Sequence, residues 1–211
     1  MLSINQIPRC KQRDICTPRG TLLAGINGKV GIDLNHIQLT GTAGAYIEHS
    51  DVIMNFTATV YRQLKTSTCK VYPNNVQYKW VVDGHEKIII PDATINCRVH
   101  AKRGNSFFDI PRFVMEVLSE SSKKYDRGEK MEIYRKMEID EYWIVDWEKR
   151  EIEIYNLDYD ENQEPQYHLF KTITRKNKDE LEIVHFPHSN ISFDEMFDFK
   201  IACYLLVHFP H

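Results

Sequence analysis

A glutamate lies within one of the most apolar stretches of the chain. Glu116 is flanked by Phe113-Val114-Met115 on one side and by Val117-Leu118 on the other, a pattern that predicts a buried β-strand. Burying a carboxylate is costly unless a cation or hydrogen-bond donors compensate for the lost water. Two interpretations stay open: a structural ion pair, with Arg112 or a lysine as the partner, or a functional acid in a cleft.

A second carboxylate follows another apolar run. Asp92 comes directly after Pro91 and the run Ile88-Ile89-Ile90, and taken alone it is an ordinary turn or bulge residue. Taken with Glu116 it is more informative, because two carboxylates on adjacent strands can hold a magnesium ion. Such an ion can activate water and neutralise the charge of a phosphodiester.

A cation is the third group that such chemistry needs, to orient the attacking water or to stabilise the charge of the transition state. Lys130 is the candidate, and it lies four residues after Asp126, the spacing of an ion pair on one helix face. The alternative is a solvated surface lysine, one of a group that includes Lys123, Lys124 and Lys136.

Several segments share their order and spacing with one known family. They are Pro91-Asp92, Phe113 to Ser119, Tyr125 to Lys130, Tyr134 and Glu141 to Asp146. In these segments the chain resembles the Uma-two family of endonucleases, of the PD-(D/E)XK or restriction-endonuclease-like superfamily, over roughly residues 45 to 197. The resemblance implies an α/β (mixed α+β) fold with a mixed central β-sheet flanked by helices.

The resemblance also implies roles for individual residues. It makes Asp92, Glu116 and Val117 the metal-binding residues, and Asp92, Glu116, Lys130 and His49 the catalytic ones. The superfamily lysine normally lies two residues after the second acid, where this chain has Leu118, and Lys130 of the following helix matches the family's substitute. His49 stands where the family often has a histidine, although a histidine before a helix is more often structural.

One departure from the family pattern leaves a second function open. The family usually has a glutamate before a turn near its N-terminus, and the stretch from Leu23 to Lys29 has none. We therefore expect a Mg²⁺- or Mn²⁺-dependent endonuclease that hydrolyses DNA phosphodiester bonds. The alternative is a catalytically inactive protein of the same fold that binds nucleic acid or a protein partner.

The composition bears on how DNA could be bound and on the cellular compartment. The 211 residues carry a formal net charge of -3, so DNA binding must depend on a local basic patch. The candidates flank the site in sequence: Lys102, Arg103, Arg112, Lys123, Lys124 and Arg127. Five cysteines without a CxxC pair indicate neither a disulfide framework nor a zinc site, which favours a reducing cytoplasm. The sequence predicts no secretory signal and no membrane segment.

The predicted elements divide the chain into an arm (1–20), one domain (21–198) and an apolar tail (199–211). Gly-rich residues 21–47 predict two short strands, and Ser50 is predicted to cap a helix that ends near Lys65. Further on we expect a hairpin turn at Asp83-Gly84 and a strand from Lys87 to Cys97 that Pro91 interrupts, with an edge or a bulge there. The later predicted elements are a loop from Ser106 to Pro111, a helix from Tyr125 to Met137, a strand from Glu180 to Val184 and a short last helix from Ser192 to Phe197. A homodimer is expected, because apolar groups such as Trp147 and the tail need cover.

Overall fold

A computed structural model describes residues 46–199 of the chain. The predicted arm, the two strands expected within 21–47 and the tail after Phe199 lie outside these residues. The helices are α1 (Ile47–Gln63), α2 (Lys123–Tyr125), α3 (Met131–Lys136) and α4 (Phe193–Met196), with a π-helical turn at Asp126–Lys130 and a 3-10 turn at Lys178–Glu180. The strands are β1 (Lys70–Pro73), β2 (Gln77–Val82), β3 (His85–Ile89), β4 (Ala93–Asn96), β5 (Lys102–Arg103), β6 (Ser106–Phe107), β7 (Phe113–Val117), β8 (Glu141–Asp146), β9 (Glu151–Tyr159) and β10 (Pro165–Ile173).

The larger sheet has six strands in the order β1-β4-β7-β8-β9-β10. Its central pair, β7 and β8, is parallel, and the other neighbours are antiparallel. The parallel pair needs a crossover, which α2, the π-helical turn and α3 provide. Strands β7 and β8 are buried along their whole length, so Glu116 lies in the interior of the sheet.

A smaller sheet of four strands has the order β3-β2-β6-β5. The predicted Asp83-Gly84 turn joins β2 to β3 with positive φ at both residues (52° and 78°), as a type I′ hairpin requires. The strand predicted from Lys87 to Cys97 is interrupted at Pro91 as expected, but the break is complete: β3 stays in the small sheet and β4 enters the large one. The loop expected at 106–111 contains the short strand β6, which pairs with β2.

The first helix begins one turn earlier than Ser50 predicts. Helix α1 starts at Ile47, Tyr46 occupies the N-cap position without a side-chain cap, and Ser50 is an exposed residue inside the helix. The predicted cap is therefore wrong. The extra turn places His49 on the face that also buries Val52 and Phe56, so tertiary packing outweighs the local capping preference.

The strand predicted at 180–184 is also absent from the described chain. A 3-10 turn occupies Lys178–Glu180, and the backbone amides of Val184 and His185 donate to the carboxylate of Glu141, at 3.1 and 2.9 Å. These amides thus pair with a side chain instead of a neighbouring strand. The last predicted helix is present as α4, where Ser192 and Glu195 form a capping box.

A disulfide joins Cys69 to Cys97, which corrects the expectation that the cysteines form none. The two residues flank the antiparallel pair of β1 and β4, in which Lys70 lies opposite Asn96. Sequence spacing alone cannot reveal this pair, because 28 residues separate the two cysteines and only the strand register brings them together.

Two hydrophobic cores lie on the two faces of the larger sheet. One joins α1 and α4 to the sheet through residues such as Phe56, Phe113 and Trp143. The other joins the small sheet and α3 to the opposite face, with Tyr78, Tyr134 and Tyr142 at its centre. This mixed sheet flanked by helices confirms the predicted fold class. Within residues 46–199, no helix is both long and apolar enough to cross a membrane.

Candidate active site

Glu116 is a deeply buried acid at the centre of the site. Its neighbours along β7 alternate between the two cores, and its own side chain shares the face of Val114 and Leu118. Only 1% of the residue is exposed. One carboxylate oxygen accepts a hydrogen bond from the Tyr134 hydroxyl, and the other lies 2.7 Å from the Lys130 Nζ atom.

Asp92 reaches the same place from the neighbouring strand. Ala93 of β4 lies opposite Met115 of β7 in antiparallel register, so continuing this register by one residue places Asp92 opposite Glu116. Directly opposed residues share a face, with Cβ atoms roughly 5 Å apart. The backbone amide of Val117 donates to Asp92 Oδ2 at 2.8 Å, which ties the carboxylate to the end of β7.

His49 approaches from the other side of the sheet. Its Nε2 atom lies 3.5 Å from Asp92 Oδ2, and its Nδ1 atom has no hydrogen-bond partner in the described part of the chain. Burial lowers the pKa of His49, but the hydrogen bond and negative charge of Asp92 and the backbone of Val117 outweigh it, so the pKa is raised. The histidine can therefore support Asp92 as a hydrogen-bond donor.

Lys130 is held between two buried acids. Its Nζ atom lies 2.7 Å from Glu116 Oε2 and 2.9 Å from Asp126 Oδ1, and the ring of Tyr125 covers it at 5.6 Å. Burial lowers the pKa of Lys130, but attraction to the two carboxylates raises it above the ordinary value. The residue is thus a buried cation rather than the solvated surface lysine that its sequence neighbourhood allows.

The electrostatics of the site favour an additional positive charge. Burial raises the pKa of Glu116 to about 8; the charge of Lys130 opposes this rise, and the charges of Asp92 and Asp126 add to it. Glu116 and Asp126 thus share a single lysine, and Asp92 adds a further negative charge nearby. A divalent cation would relieve this imbalance, and carboxylate oxygens are the ligands that Mg²⁺ prefers.

The residues that could hold such a cation are those named from the sequence. Asp92 and Glu116 offer carboxylate oxygens, and Val117, whose side chain is a buried valine, could offer only its main-chain carbonyl. Among the described residues, no three His, Cys, Asp or Glu side chains form a ready-made metal cage. The donor set is thus two carboxylates and a carbonyl, and it is chemically suited to a hard cation.

The predicted basic patch is only partly assembled. Three of its members are neutralised locally: Arg112 pairs with Asp140, Lys123 with Glu120 and Arg127 with Glu153. Lys102 and Arg103 follow the end of β4 that is remote from Asp92. Lys124, in α2 just after β7, is exposed near the end of the sheet that carries the site.

Two residues of the site were given no catalytic role by the sequence. Asp126 is 1% exposed and Tyr134 is fully buried, and both reach the Glu116–Lys130 pair. The signal that could have found them is their spacing, since positions 126, 130 and 134 recur every four residues in one helix. Glu141 is also buried, but it binds the segment after β10 and is structural.

A buried glutamate on β7, a partly buried aspartate just before β4, a lysine from the crossover and a mixed sheet are the features expected of a nuclease-like protein. The family model described as "Putative restriction endonuclease", Uma2, matches residues 37–182, well over half of the chain. The chain therefore belongs to the Uma2 family, as the residue pattern predicted.

The chain is also similar to individual proteins. The chain is 25% identical over 124 residues to the "Uncharacterized protein slr1290" of Synechocystis sp., a match that covers 58% of this chain and 64% of the relative's length. It is similar in fold to a crystal structure described as a "putative nuclease belonging to DUF820" from Anabaena variabilis. That similarity has a TM-score of 0.50 at 14% identity and covers 74% of this chain and 83% of the other.

Proposed function

We propose that this chain is a Mg²⁺- or Mn²⁺-dependent endonuclease that hydrolyses phosphodiester bonds of DNA. The observation that carries the proposal is the contact of Lys130 with Glu116, at 2.7 Å, beside Asp92 on the adjacent strand. Membership of a nuclease family supports the reaction class. The metal, the DNA substrate and the activity itself belong to the proposal.

Asp92, Glu116 and the Val117 carbonyl would hold the cation, and His49 would keep Asp92 in place. A bound divalent cation would supply charge neutralisation at the phosphate and activation of water. Lys130 stays protonated beside two carboxylates, so its role is to stabilise negative charge on the phosphate rather than to remove a proton. Tyr134 fixes the second oxygen of Glu116 and thereby its orientation.

The non-catalytic alternative remains the competing hypothesis. The absence of the family's N-terminal glutamate favours it, whereas the assembly of Asp92, Glu116 and Lys130 in one place favours catalysis. The two hypotheses differ in a single assay, because an inactive DNA-binding protein would shift the mobility of DNA without nicking it.

The test is incubation of the purified chain with supercoiled plasmid and Mg²⁺, Mn²⁺, Ca²⁺ or chelator. We expect relaxed and linear DNA with Mg²⁺ or Mn²⁺ and none with chelator. Glu116→Gln, which keeps the shape of the side chain and removes its charge, should be inactive. Cleavage by Glu116→Gln at the wild-type rate would refute the assignment, and intact plasmid under all conditions would favour the non-catalytic hypothesis.

A further inference from the structure

Asp126 is a buried acid whose charge needs an explanation. Its side chain is 1% exposed, and within the described chain its carboxylate contacts no hydrogen-bond donor apart from the ion pair with Lys130. An ionised carboxylate in such a place is costly. The Lys130 ammonium, 2.9 Å away, is the compensating group.

The backbone around Asp126 is held independently of its side chain. The Tyr142 hydroxyl, from the buried strand β8, donates to the Asp126 carbonyl at 3.0 Å. Asp126 also begins the π-helical turn, which ends at Lys130. The backbone from which the carboxylate extends is therefore held by β8 and by the helix, independently of Lys130.

The π-helical turn brings Asp126 and Lys130 into one row. In an α-helix, side chains four residues apart are rotated by roughly 40° and those eight apart by roughly 80°. A π turn holds more residues per turn and so offsets this rotation, and such turns often lie at functional sites. Here Asp126, Lys130 and Tyr134 all reach the Glu116 region, the last two by direct contact with its carboxylate.

Lys130 has two carboxylate partners, Glu116 and Asp126, and they differ in what else they would bind. Glu116 is the partner that the proposed cation would share, and a cation at Glu116 would repel the nearby ammonium group. Asp126 belongs to the same π-helical turn as Lys130 and lies 2.9 Å from its ammonium group. It can keep its contact with Lys130 when Glu116 is engaged elsewhere.

We propose that Asp126 is a positioning residue that holds the Lys130 ammonium group at the site when Glu116 binds the cation and substrate. The inference rests on the proposed nuclease function, because it assigns Lys130 its place during that reaction. Asp126 acts through Lys130 and touches neither cation nor DNA.

The experiment compares the wild type with Asp126→Asn, which keeps the shape of the side chain and removes its charge. The first readout is the rate at which the Lys130 ammonium hydrogens exchange with water, measured by NMR of the ¹⁵N-labelled protein. The ammonium signal is assigned through its correlations along the Lys130 side chain. We expect exchange roughly tenfold faster in Asp126→Asn, because one charge-assisted hydrogen bond is lost. This readout does not depend on DNA cleavage.

The second and third readouts use the loaded protein. Plasmid-cleavage kinetics should show kcat lowered by about 100-fold, the effect of a misplaced catalytic group, with KM nearly unchanged. Calorimetry with Mn²⁺ should show wild-type affinity, because Asp126 is not a ligand. Loss of Mn²⁺ binding would overturn the inference by making Asp126 a cation ligand, and unchanged ammonium exchange would overturn it directly.

Glu132→Gln is the matched control. Glu132 is a carboxylate six residues after Asp126, exposed and paired with Arg135 and Lys136, and its loss should leave all three readouts unchanged. If Asp126→Asn does not fold, the smaller Asp126→Ser replaces it. If the wild type cleaves no DNA with any cation, the proposed function fails, and the ammonium exchange still decides whether Asp126 holds Lys130.

Discussion

At the scale of single residues, the Glu116 carboxylate has two hydrogen-bond donors that differ in what they can do after a substitution. The Tyr134 hydroxyl can donate or accept a hydrogen bond, whereas the Lys130 ammonium can only donate. Lys130 in turn has a second acid, Asp126, at 2.9 Å. The loss of Glu116 and the loss of Lys130 should therefore have opposite effects on stability.

We predict that Glu116→Gln leaves the melting temperature of the metal-free protein unchanged or raises it. The amide relieves the repulsion among three carboxylates, Tyr134 can accept from it, and Lys130 keeps Asp126. Lys130→Ala should instead lower the free energy of unfolding by about 3–5 kcal/mol, because two buried acids lose their cation. Thermal unfolding of both variants without metal tests the contrast. Equal, large losses in both would make the cluster a structural ion pair.

At the scale of elements, Glu141 fastens the segment after β10 to the central sheet. Its carboxylate accepts from the Trp143 indole at 2.7 Å and from the backbone amides of Val184 and His185. Burial raises the pKa of Glu141 to about 7, although these three donors oppose the rise. Removal of this acid should therefore change how stability depends on pH.

The sign of that dependence follows from the raised pKa. Below the unfolded pKa of about 4.5, the Glu141 carboxyl is protonated in both the folded and the unfolded chain. The neutral carboxyl therefore contributes its full stability there, and this contribution is lost as pH rises through the folded pKa of about 7. The loss is on the order of 3 kcal/mol at most. Glu141→Gln should show a flatter profile between pH 4.5 and 8, in urea unfolding at several pH values. An unchanged slope would mean that Glu141 titrates normally.

The disulfide is the second prediction at the scale of elements. Cys69 and Cys97 close the end of the β1–β4 pair, and a link across 28 residues typically stabilises a fold by about 2–4 kcal/mol. We expect a reductant to lower the melting temperature and to expose two additional thiols in denaturant. The Cys69→Ser variant should melt like the reduced wild type. An identical thiol count before and after reduction would show that the bond does not form in the purified protein.

At the scale of the whole molecule, the charge distribution restricts how DNA can be bound. The chain is slightly acidic, and several cations near the site already have acidic partners. Under the proposed function, Lys124 is the exposed cation near the site, within residues 46–199, that could contact a phosphate. The salt dependence of affinity would report such contacts, because it scales with the number of phosphates contacted.

We predict that Lys124→Gln lowers the slope of log affinity against log salt concentration by about 1. Lys102→Gln is the matched control, since Lys102 is also exposed but lies beyond the far end of β4. Fluorescence anisotropy with a labelled duplex and Ca²⁺, over a range of salt concentrations, measures both. If the two substitutions lowered the salt slope equally, DNA would contact both lysines, and the prediction of a contact confined to the site would be wrong.

The homodimer expected from the sequence has a candidate surface on α1. Ile47, Met54 and Tyr61 recur every seven residues along its outer side and are 76%, 64% and 53% exposed, whereas Trp147 is half-buried against Tyr46. We predict a dimer in sedimentation velocity that Met54→Glu dissociates. Leu169→Glu, at an equally apolar exposed site on β10 (54%), should leave it intact. A monomer at all concentrations would contradict the prediction.

The sequence by itself determined the elements whose signals are local. The apolar run around Glu116 predicted β7, the Asp83-Gly84 turn predicted a hairpin, and the Ser192 to Phe197 pattern predicted α4. The order of short segments also sufficed to identify the family and to select Asp92, Glu116 and Lys130. Each of these signals depends on residues close together in the chain.

Only the tertiary structure decided which distant groups meet. The register of β4 against β7 places Asp92 opposite Glu116 and, through β1, brings Cys69 to Cys97. The Glu141 carboxylate accepts hydrogen bonds from the backbone amides of Val184 and His185, where a strand was predicted at 180–184. The π-helical turn brings Asp126 to Lys130. The physical reason is common to all of these. A buried polar group must find a partner, and the identity of that partner depends on packing between elements that lie far apart in the sequence.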